Sequence, residues 1–326
     1  MRIVFHGENA ASFREEFEDL VGRDAQVDVL PDVLSTDADR KRYAEAEFIV
    51  GVKFDASLPV PVGLKLSHVP GAGYDAVDLN LLPKSARVCN CFGHEQAIAE
   101  YVMSAILARH VPLADADARL RKGDWKYWAG ALDRVHDETA GKTIGLLGFG
   151  HIGKAIAARA KVFEMRVVVA NRSAVATSPL VDQAFTLDQL AEFWGTVDFI
   201  VVSVPLAPET KGLVGYEAFA AMRPGAVSLN VGRGPTIDER SLYAALKSGR
   251  IAGAIIDTWY AYPGAENLNP HPSSLPFHEL SNIVMTPHMS GWTRGTVRRR
   301  QTTIAGNIVR QAKGMSCENV VRQGRS

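Results

Sequence analysis

Short apolar runs alternate with longer stretches whose apolar residues recur at helical spacing, and the alternation runs along nearly the whole chain. This is the pattern of parallel strands covered by helices. Residues 3–5, 27–30, 48–52, 64–68 and 88–90 read as the strands of a first unit. Ile98, Tyr101, Val102, Ala105 and Ile106 then share one helical face and predict a long helix over 95–109. A second series starts at Lys142, with strands expected at 143–147, 166–170, 199–204, 226–230, 254–257 and 283–286. Helices are expected at 152–163, 187–194, 216–222 and 239–248, and a last one over 293–313. The Arg298-Arg299-Arg300 run in it reads as a solvated face.

Between the two series, residues 113–138 break the pattern. They carry Arg119, Arg121, Lys122, Trp125, Tyr127 and Trp128 in a polar setting. Tryptophan is costly to leave in water, so this segment is expected to cover a partner subunit in a homodimer.

Composition narrows the class. The 326 residues carry 36 basic and 36 acidic side chains and no basic excess, which argues against a nucleic-acid partner. No apolar run approaches the ~18 residues of a membrane span, and the first residues predict a strand, not a signal peptide. Cys89, Cys91 and Cys317 are odd in number, and Cys89 with Cys91 lacks a second ligand pair for zinc. They read as ordinary thiols, with no metal, in a reducing cytoplasm.

The chemistry begins at Gly148-Phe149-Gly150-His151-Ile152-Gly153, which follows an apolar strand and opens an alanine-rich helix. In that context Gly148 permits the tight turn, Gly150 lets a pyrophosphate approach the backbone, and Gly153 lets helix pack on strand. The helix start supplies free N–H groups for the phosphates. After the next strand, Asn171-Arg172-Ser173 stands where an NAD site places a carboxylate for the ribose hydroxyls. Asn171 removes the repulsion of a 2′-phosphate, and Arg172 and Ser173 offer it charge and donors. NADP is therefore the preferred cofactor, with NAD the alternative.

Three motifs follow at later strand ends: Asn230-Val231-Gly232-Arg233-Gly234, Gly253 to Trp259 containing Asp257, and Thr286-Pro287-His288-Met289-Ser290-Gly291-Trp292. With the glycine turn, Pro70-Gly71-Ala72-Gly73-Tyr74-Asp75 and Ala99-Glu100, they resemble the D-isomer-specific 2-hydroxyacid dehydrogenase family over residues 45–315. The residues make chemical sense on their own. Arg233 offers a bidentate guanidinium to a substrate carboxylate and carbonyl oxygen. His288 is an acid/base that titrates near neutrality. Ala72 and Gly73 can present backbone N–H groups to the carboxylate. The resemblance implies that Asp257 lies beside the nicotinamide, and that Val204, Pro205, Val231, Gly232 and Ser290 line the cofactor site. It also implies an α/β fold of two doubly wound parallel-sheet domains. A Rossmann dinucleotide-binding domain (98–287) is inserted into a flavodoxin-like substrate domain (1–97 and 288–326).

One departure stands out. The family's glutamate partner of the histidine falls at Tyr262, a neutral phenol that can orient an imidazole without lending it charge. Glu266, His278 and Glu279 are other candidates for that role. The expected function is a glyoxylate/hydroxypyruvate-type 2-oxoacid reductase acting on a small acid. A formate- or phosphite-type dehydrogenase is one alternative, and a dinucleotide-sensing corepressor-like binding protein another.

Overall fold

The computed structural model describes residues 1–264 and 267–324. The chain divides into two units, Met1–Gly93 with Trp292–Ser326, and His94–Gly291. The boundaries expected at 97/98 and 287/288 thus fall at 93/94 and 291/292. The reason is packing: the helix that starts at Glu95 puts Ile98, Ala99, Val102, Met103 and Ile106 into the core of the second unit from its first turn onward.

In the first unit the elements are β1 (Arg2–His6), α1 (Glu8–Ala11), α2 (Phe17–Val21), β2 (Gln26–Leu30), α3 (Asp37–Ala44), β3 (Phe48–Gly51), β4 (Leu66–His68) and β5 (Arg87–Cys89). A C-terminal helix, Arg294–Ala312, and a closing strand, Val320–Arg322, complete it. The sheet runs closing strand, β5, β4, β3, β1, β2, and its parallel part has the flavodoxin-like order 2-1-3-4-5 read from the β2 edge. Every residue of β3 and β4 is buried, as a sheet covered on both faces requires. Phe5, Phe13 and Phe17 form one core layer with Ile304 and Ile308 of the C-terminal helix; Tyr43, Phe54 and Leu64 lie in the other. The closing strand is antiparallel to β5, an element that the chain's apolar pattern does not announce. The arginine run is only partly a solvated face, because Arg299 donates to the Gly93 carbonyl at 2.7 Å and Arg300 to that of Phe92 at 3.3 Å.

The second unit holds α4 (Glu95–His110), α5 (Leu113–Leu120), β6 (Thr143–Leu147), α6 (His151–Val162), β7 (Arg166–Ala170), β8 (Gln183–Phe185), α7 (Leu190–Thr196), β9 (Phe199–Val202), α8 (Tyr216–Ala221), β10 (Val227–Asn230), α9 (Glu239–Lys247), β11 (Gly253–Ile256) and β12 (Ile283–Met285). Its seven strands are ordered β12-β11-β10-β9-β6-β7-β8, all parallel, which is the doubly wound 3-2-1-4-5-6 order with one further strand. The order reverses between β6 and β9, and ligands of such sheets bind beyond the strand ends at that point. α9 starts where Asp238 accepts from the Ser241 N–H at 2.8 Å, a side-chain N-cap. The helix expected at 187–194 is split into a single 3₁₀ turn, Leu187–Gln189, and α7. Strand β8 was not expected, since three residues in a polar context carry too little periodicity to be read.

Within the second unit, α5 and the loop after it stand in solvent. Leu113, Leu120, Leu132 and Val135 are exposed, and Trp125 and Trp128 are 60% and 63% exposed while meeting edge to face at 6.2 Å. Among the described residues no helix is long and apolar enough to cross a membrane. Nor can any group of three or more His, Cys, Asp or Glu among them hold a metal ion.

Candidate active site

The glycine turn sits at the end of β6, next to the point where the sheet order reverses. Its three glycines have three different reasons to be glycine. Gly148 has φ 97°, a left-handed conformation that side chains resist. A Cβ on Gly153 would lie 2.4 Å from the Gly148 carbonyl oxygen, so α6 could not start this close to the turn. A Cβ on Gly150 would meet nothing within 4 Å. Packing does not demand a glycine there, and the open space is what a pyrophosphate would fill. His151 is exposed at the start of the twelve-residue α6, and Ile152 is half-buried behind it.

At the end of β7, Asn171 is part of the turn's scaffold: its Oδ1 accepts from the Phe149 N–H at 3.2 Å and its Nδ2 donates to the Ser173 carbonyl at 2.9 Å. Arg172 and Ser173 are exposed beside it. After β9, Val204 is half-buried and Pro205 exposed; after β10, Val231 is buried. Gly232 lies so near these residues that a Cβ would stand 2.8 Å from the Val204 carbonyl oxygen. Every expected cofactor residue on these strands therefore lies beyond the C-terminal strand ends of one parallel sheet.

The β10 turn aims Arg233. Buried Asn230 accepts from the Gly232 N–H and donates to the Arg233 carbonyl, each at 3.1 Å, and the half-buried Arg233 guanidinium donates to the Gly232 carbonyl at 3.0 Å. After β12, His288 has φ 57°, a left-handed backbone that few non-glycine residues adopt. Asp257, fully buried at the end of β11, holds the loop in that shape. Its Oδ1 accepts from the Thr286 hydroxyl at 2.6 Å and the Met289 N–H at 2.9 Å, and its Oδ2 from the Ser290 N–H at 2.9 Å. Tyr101 of α4 donates to Thr286 at 2.7 Å, and the buried Trp259 indole donates to the Thr286 carbonyl at 2.8 Å. Thr286, Tyr101, Trp259 and Asn230 are structural members of the site that sequence reasoning did not single out. Only Asn230 left a signal, an amide at a strand end two residues before a glycine.

Tyr262 lies against His288, its Oη 3.0 Å from Nδ1, and accepts from the Trp259 N–H at 3.0 Å. Burial holds its phenol above the ordinary value, against the pull of the nearby Arg233 charge, so it is neutral at physiological pH. Of the other candidates for this place, His278 stacks on His271 at 4.6 Å, Glu279 is exposed, and Glu266 lies outside the described residues.

In the first unit, the turn after β4 is fixed by Asn90, which donates to the Ala72 carbonyl at 2.7 Å, and by the Cys91 N–H, which donates to the Gly71 carbonyl at 3.1 Å. Ala72 and Gly73 are half-buried, and among the described residues their N–H groups have no acceptor.

A family model described as "D-isomer specific 2-hydroxyacid dehydrogenase, NAD binding domain" matches residues 103–290. The chain belongs to the D-isomer-specific 2-hydroxyacid dehydrogenase family. The resemblance read from its motifs is thereby borne out, and the matched model is that of an NAD-binding domain. A D-3-phosphoglycerate dehydrogenase of Methanocaldococcus jannaschii is 32% identical over 265 residues, which are 79% of this chain and 47% of the relative. This chain thus spans under half the length of that dehydrogenase. A glyoxylate reductase of Korarchaeum cryptofilum is 31% identical over 77% of this chain and 74% of its own. Among solved structures, a D-isomer-specific 2-hydroxyacid dehydrogenase of Xanthobacter autotrophicus in complex with NADPH and MES has a TM-score of 0.76 at 28% identity, covering 98% of this chain and 97% of that one.

Proposed function

We propose that this family member is an NADP(H)-preferring reductase of small 2-oxo acids of the glyoxylate or hydroxypyruvate type. The observation that carries the reading is the hydrogen-bonded setting of His288 at the end of β12, with Tyr262 at its Nδ1 and the Arg233 charge acting on the same phenol. Gly148, Gly150 and Gly153 with Arg172 and Ser173 would hold the dinucleotide, which when bound would supply or take the hydride. Arg233 fixes the substrate's carboxylate and carbonyl oxygen by charge-assisted hydrogen bonds. His288 gives a proton to that oxygen in reduction and takes it back in oxidation. In the first unit, the N–H groups of Ala72 and Gly73 offer a seat for a carboxylate.

The preference for NADP rests on Asn171. Its amide is tied to Phe149 and Ser173, no carboxylate stands in residues 171–173, and exposed Arg172 and Ser173 are available to a 2′-phosphate. The relative solved with NADPH supports this choice. Exposed Trp125 and Trp128 support a homodimer formed through residues 113–138, which light scattering at micromolar concentration would refute by returning a monomer. Three free thiols suit a reducing cytoplasm.

The test is a panel of 2-oxo acids run in parallel with NADPH and NADH. Turnover of glyoxylate or hydroxypyruvate with a lower KM for NADPH is expected, and Arg172→Ala should raise that KM while sparing the KM for NADH. No oxidation of either cofactor by any 2-oxo acid would sink the reading. Reduction of NADP⁺ with formate or phosphite as sole donor would replace it.

A further inference from the structure

Two cysteines from opposite ends of the first unit's sequence meet beneath the end of its C-terminal helix. Arg87 and Cys89 share one face of β5, as residues two apart in a strand do, and that face packs against Ile304 and Ile308 of the helix. The helix residue Asn307 donates to Nε2 of His68 at 3.1 Å, and His68 on β4 is the register partner of Cys89. The same side chain accepts from the Glu318 N–H at 2.8 Å and donates to the Glu318 carbonyl at 3.0 Å, which fixes the residue next to Cys317. Asn319 then turns the chain with φ 53°, and Val320 pairs with Cys89. Cys317 is thereby folded over Cys89. Its Sγ packs on the core layer that contains Cys89, lies 3.3 Å from Nη1 of Arg87, and donates to the Asn307 carbonyl at 3.5 Å. The two thiols are hydrogen-bond neighbours.

We propose that Cys317 and Cys89 are a peroxide-sensitive pair that closes a reversible disulfide and staples the closing strand to β5. Access assigns the order of reaction. Cys317 is half-buried beside a guanidinium, the electropositive and partly open setting in which cysteines react. Cys89 is fully buried, and burial pushes its thiol up to about 12, so it meets no oxidant from solvent and reacts second. The Cys317 thiolate attacks one oxygen of hydrogen peroxide; the O–O bond breaks, a sulfenic acid forms, and the other oxygen leaves as water. The Cys89 sulfur then attacks the Cys317 sulfur. The S–S bond forms, the S–O bond breaks, and the hydroxyl leaves as water with the Cys89 proton. Each sulfur gives up one electron, and one peroxide becomes two waters. A dithiol reverses the bond by exchange. Cys91 lies on the same face of the chain, but its thiol donates to the Val69 carbonyl at 3.6 Å and stands on the far side of Cys89 from Arg87, which Cys317 touches. The staple acts where the sheet is weakest: the closing strand is three half-buried residues whose pairing with β5 shifts register.

The test uses the reduced full-length protein, treated with hydrogen peroxide and then freed of it. Thiol titration should show the loss of two of the three free thiols. Peptide mapping without reductant should find the Cys89 peptide joined to the Cys317 peptide, lighter than their sum by two hydrogens, and dithiothreitol should separate them. Because the cross-link closes a long loop, the oxidised protein should melt about 5–10 °C above the reduced one. Cys317→Ser, a substitution at a half-buried position, should keep both remaining thiols after the same treatment and show no rise in Tm. The map of the wild-type protein decides the matter even if a variant folds poorly. The proposal is overturned if all three thiols survive, if Cys317 stops at a sulfinic acid with Cys89 still free, or if the linked peptide contains Cys91. A Cys317–Cys317 link between two chains overturns it as well, as does a Cys89–Cys317 link that leaves Tm where it was, since the bond would then staple nothing.

Discussion

Replacing Asp257 with asparagine changes one atom of a buried group and separates two roles for it. Its carboxylate accepts three hydrogen bonds, from the Thr286 hydroxyl and the N–H groups of Met289 and Ser290. In Asp257→Asn, Oδ1 can still accept the first two, but the new amide directs its hydrogens at the buried Ser290 N–H. That donor is then left without an acceptor, at about 1–3 kcal/mol, and each remaining bond loses its charge assistance, about 1 kcal/mol apiece. The total is roughly 3–5 kcal/mol, which for a unit of this size lowers Tm by about 6–20 °C. The same change releases the loop that holds His288 at φ 57°, and a displacement of about 1 Å at a reacting group can cost ~100-fold in rate. Calorimetry on the cofactor-free protein, nicotinamide fluorescence for dinucleotide Kd, and steady-state kinetics together read the outcome. The clamp predicts a lower Tm without cofactor and a kcat loss much larger than any change in Kd. If Tm without cofactor is unchanged and only Kd rises, Asp257 serves the nicotinamide and not the loop, and the clamp is refuted.

Two further outcomes follow from the packing. Gly153→Ala places a Cβ 2.4 Å from the Gly148 carbonyl oxygen, about 1 Å short of an ordinary contact, and should destabilise the protein by about 1–3 kcal/mol; Gly150→Ala, with nothing within 4 Å, should leave Tm unchanged and weaken dinucleotide binding. Equal, unimpaired binding by Gly150→Ala would show that the open space is not the pyrophosphate's. His68 is fully buried in the first unit, donating through Nδ1 to the Val69 carbonyl at 3.1 Å and accepting from Asn307 at Nε2 at 3.1 Å, and burial pushes its pKa down from 6.5 to about 4. The neutral form is the folded one, so its contribution is complete above about pH 6.5, declines as pH falls, and is gone below about pH 4. The difference is of the order of 3 kcal/mol. Urea unfolding at pH 7 and pH 4.5 should show His68→Gln losing much of the wild-type pH dependence, and parallel curves for the two proteins would disprove the linkage.

The parallel strands were legible because each is a short, nearly continuous apolar run buried on both faces. Phe48–Gly51, Thr143–Leu147 and Phe199–Val202 are buried at every residue. The elements that escaped are those whose stability comes from elsewhere. β8 is three residues long and exists because its backbone completes the ladder of β7. The closing strand follows a helix terminus and is secured by a remote network in which Asn307 donates to the Glu318 carbonyl at 3.0 Å and accepts from the Glu318 N–H at 2.8 Å. Trp125 and Trp128 were legible as anomalous, and their exposure keeps them so.

The candidate site was legible to the extent that its chemistry resides in local motifs. Gly148 and Gly153 each answer a backbone demand that a spacing rule encodes, and Tyr262 was found by counting from Asp257 to the position of the family's glutamate. What counting cannot give is the set of contacts that close over long separations. Tyr101 reaches Thr286 across 185 residues, and Asp257 reaches Met289 across 32. These contacts explain why a histidine can hold a left-handed backbone conformation at the end of β12: the strain is local, while the hydrogen bonds that oppose it come from α4 and β11. The resemblance to the family implied that Asp257 is a neighbour of the nicotinamide. In the structure both of its oxygens are engaged by the loop that carries His288. A residue in a catalytic motif can thus act on the reaction wholly through the backbone of another, and the apo stability of Asp257→Asn is the measurement that distinguishes the two.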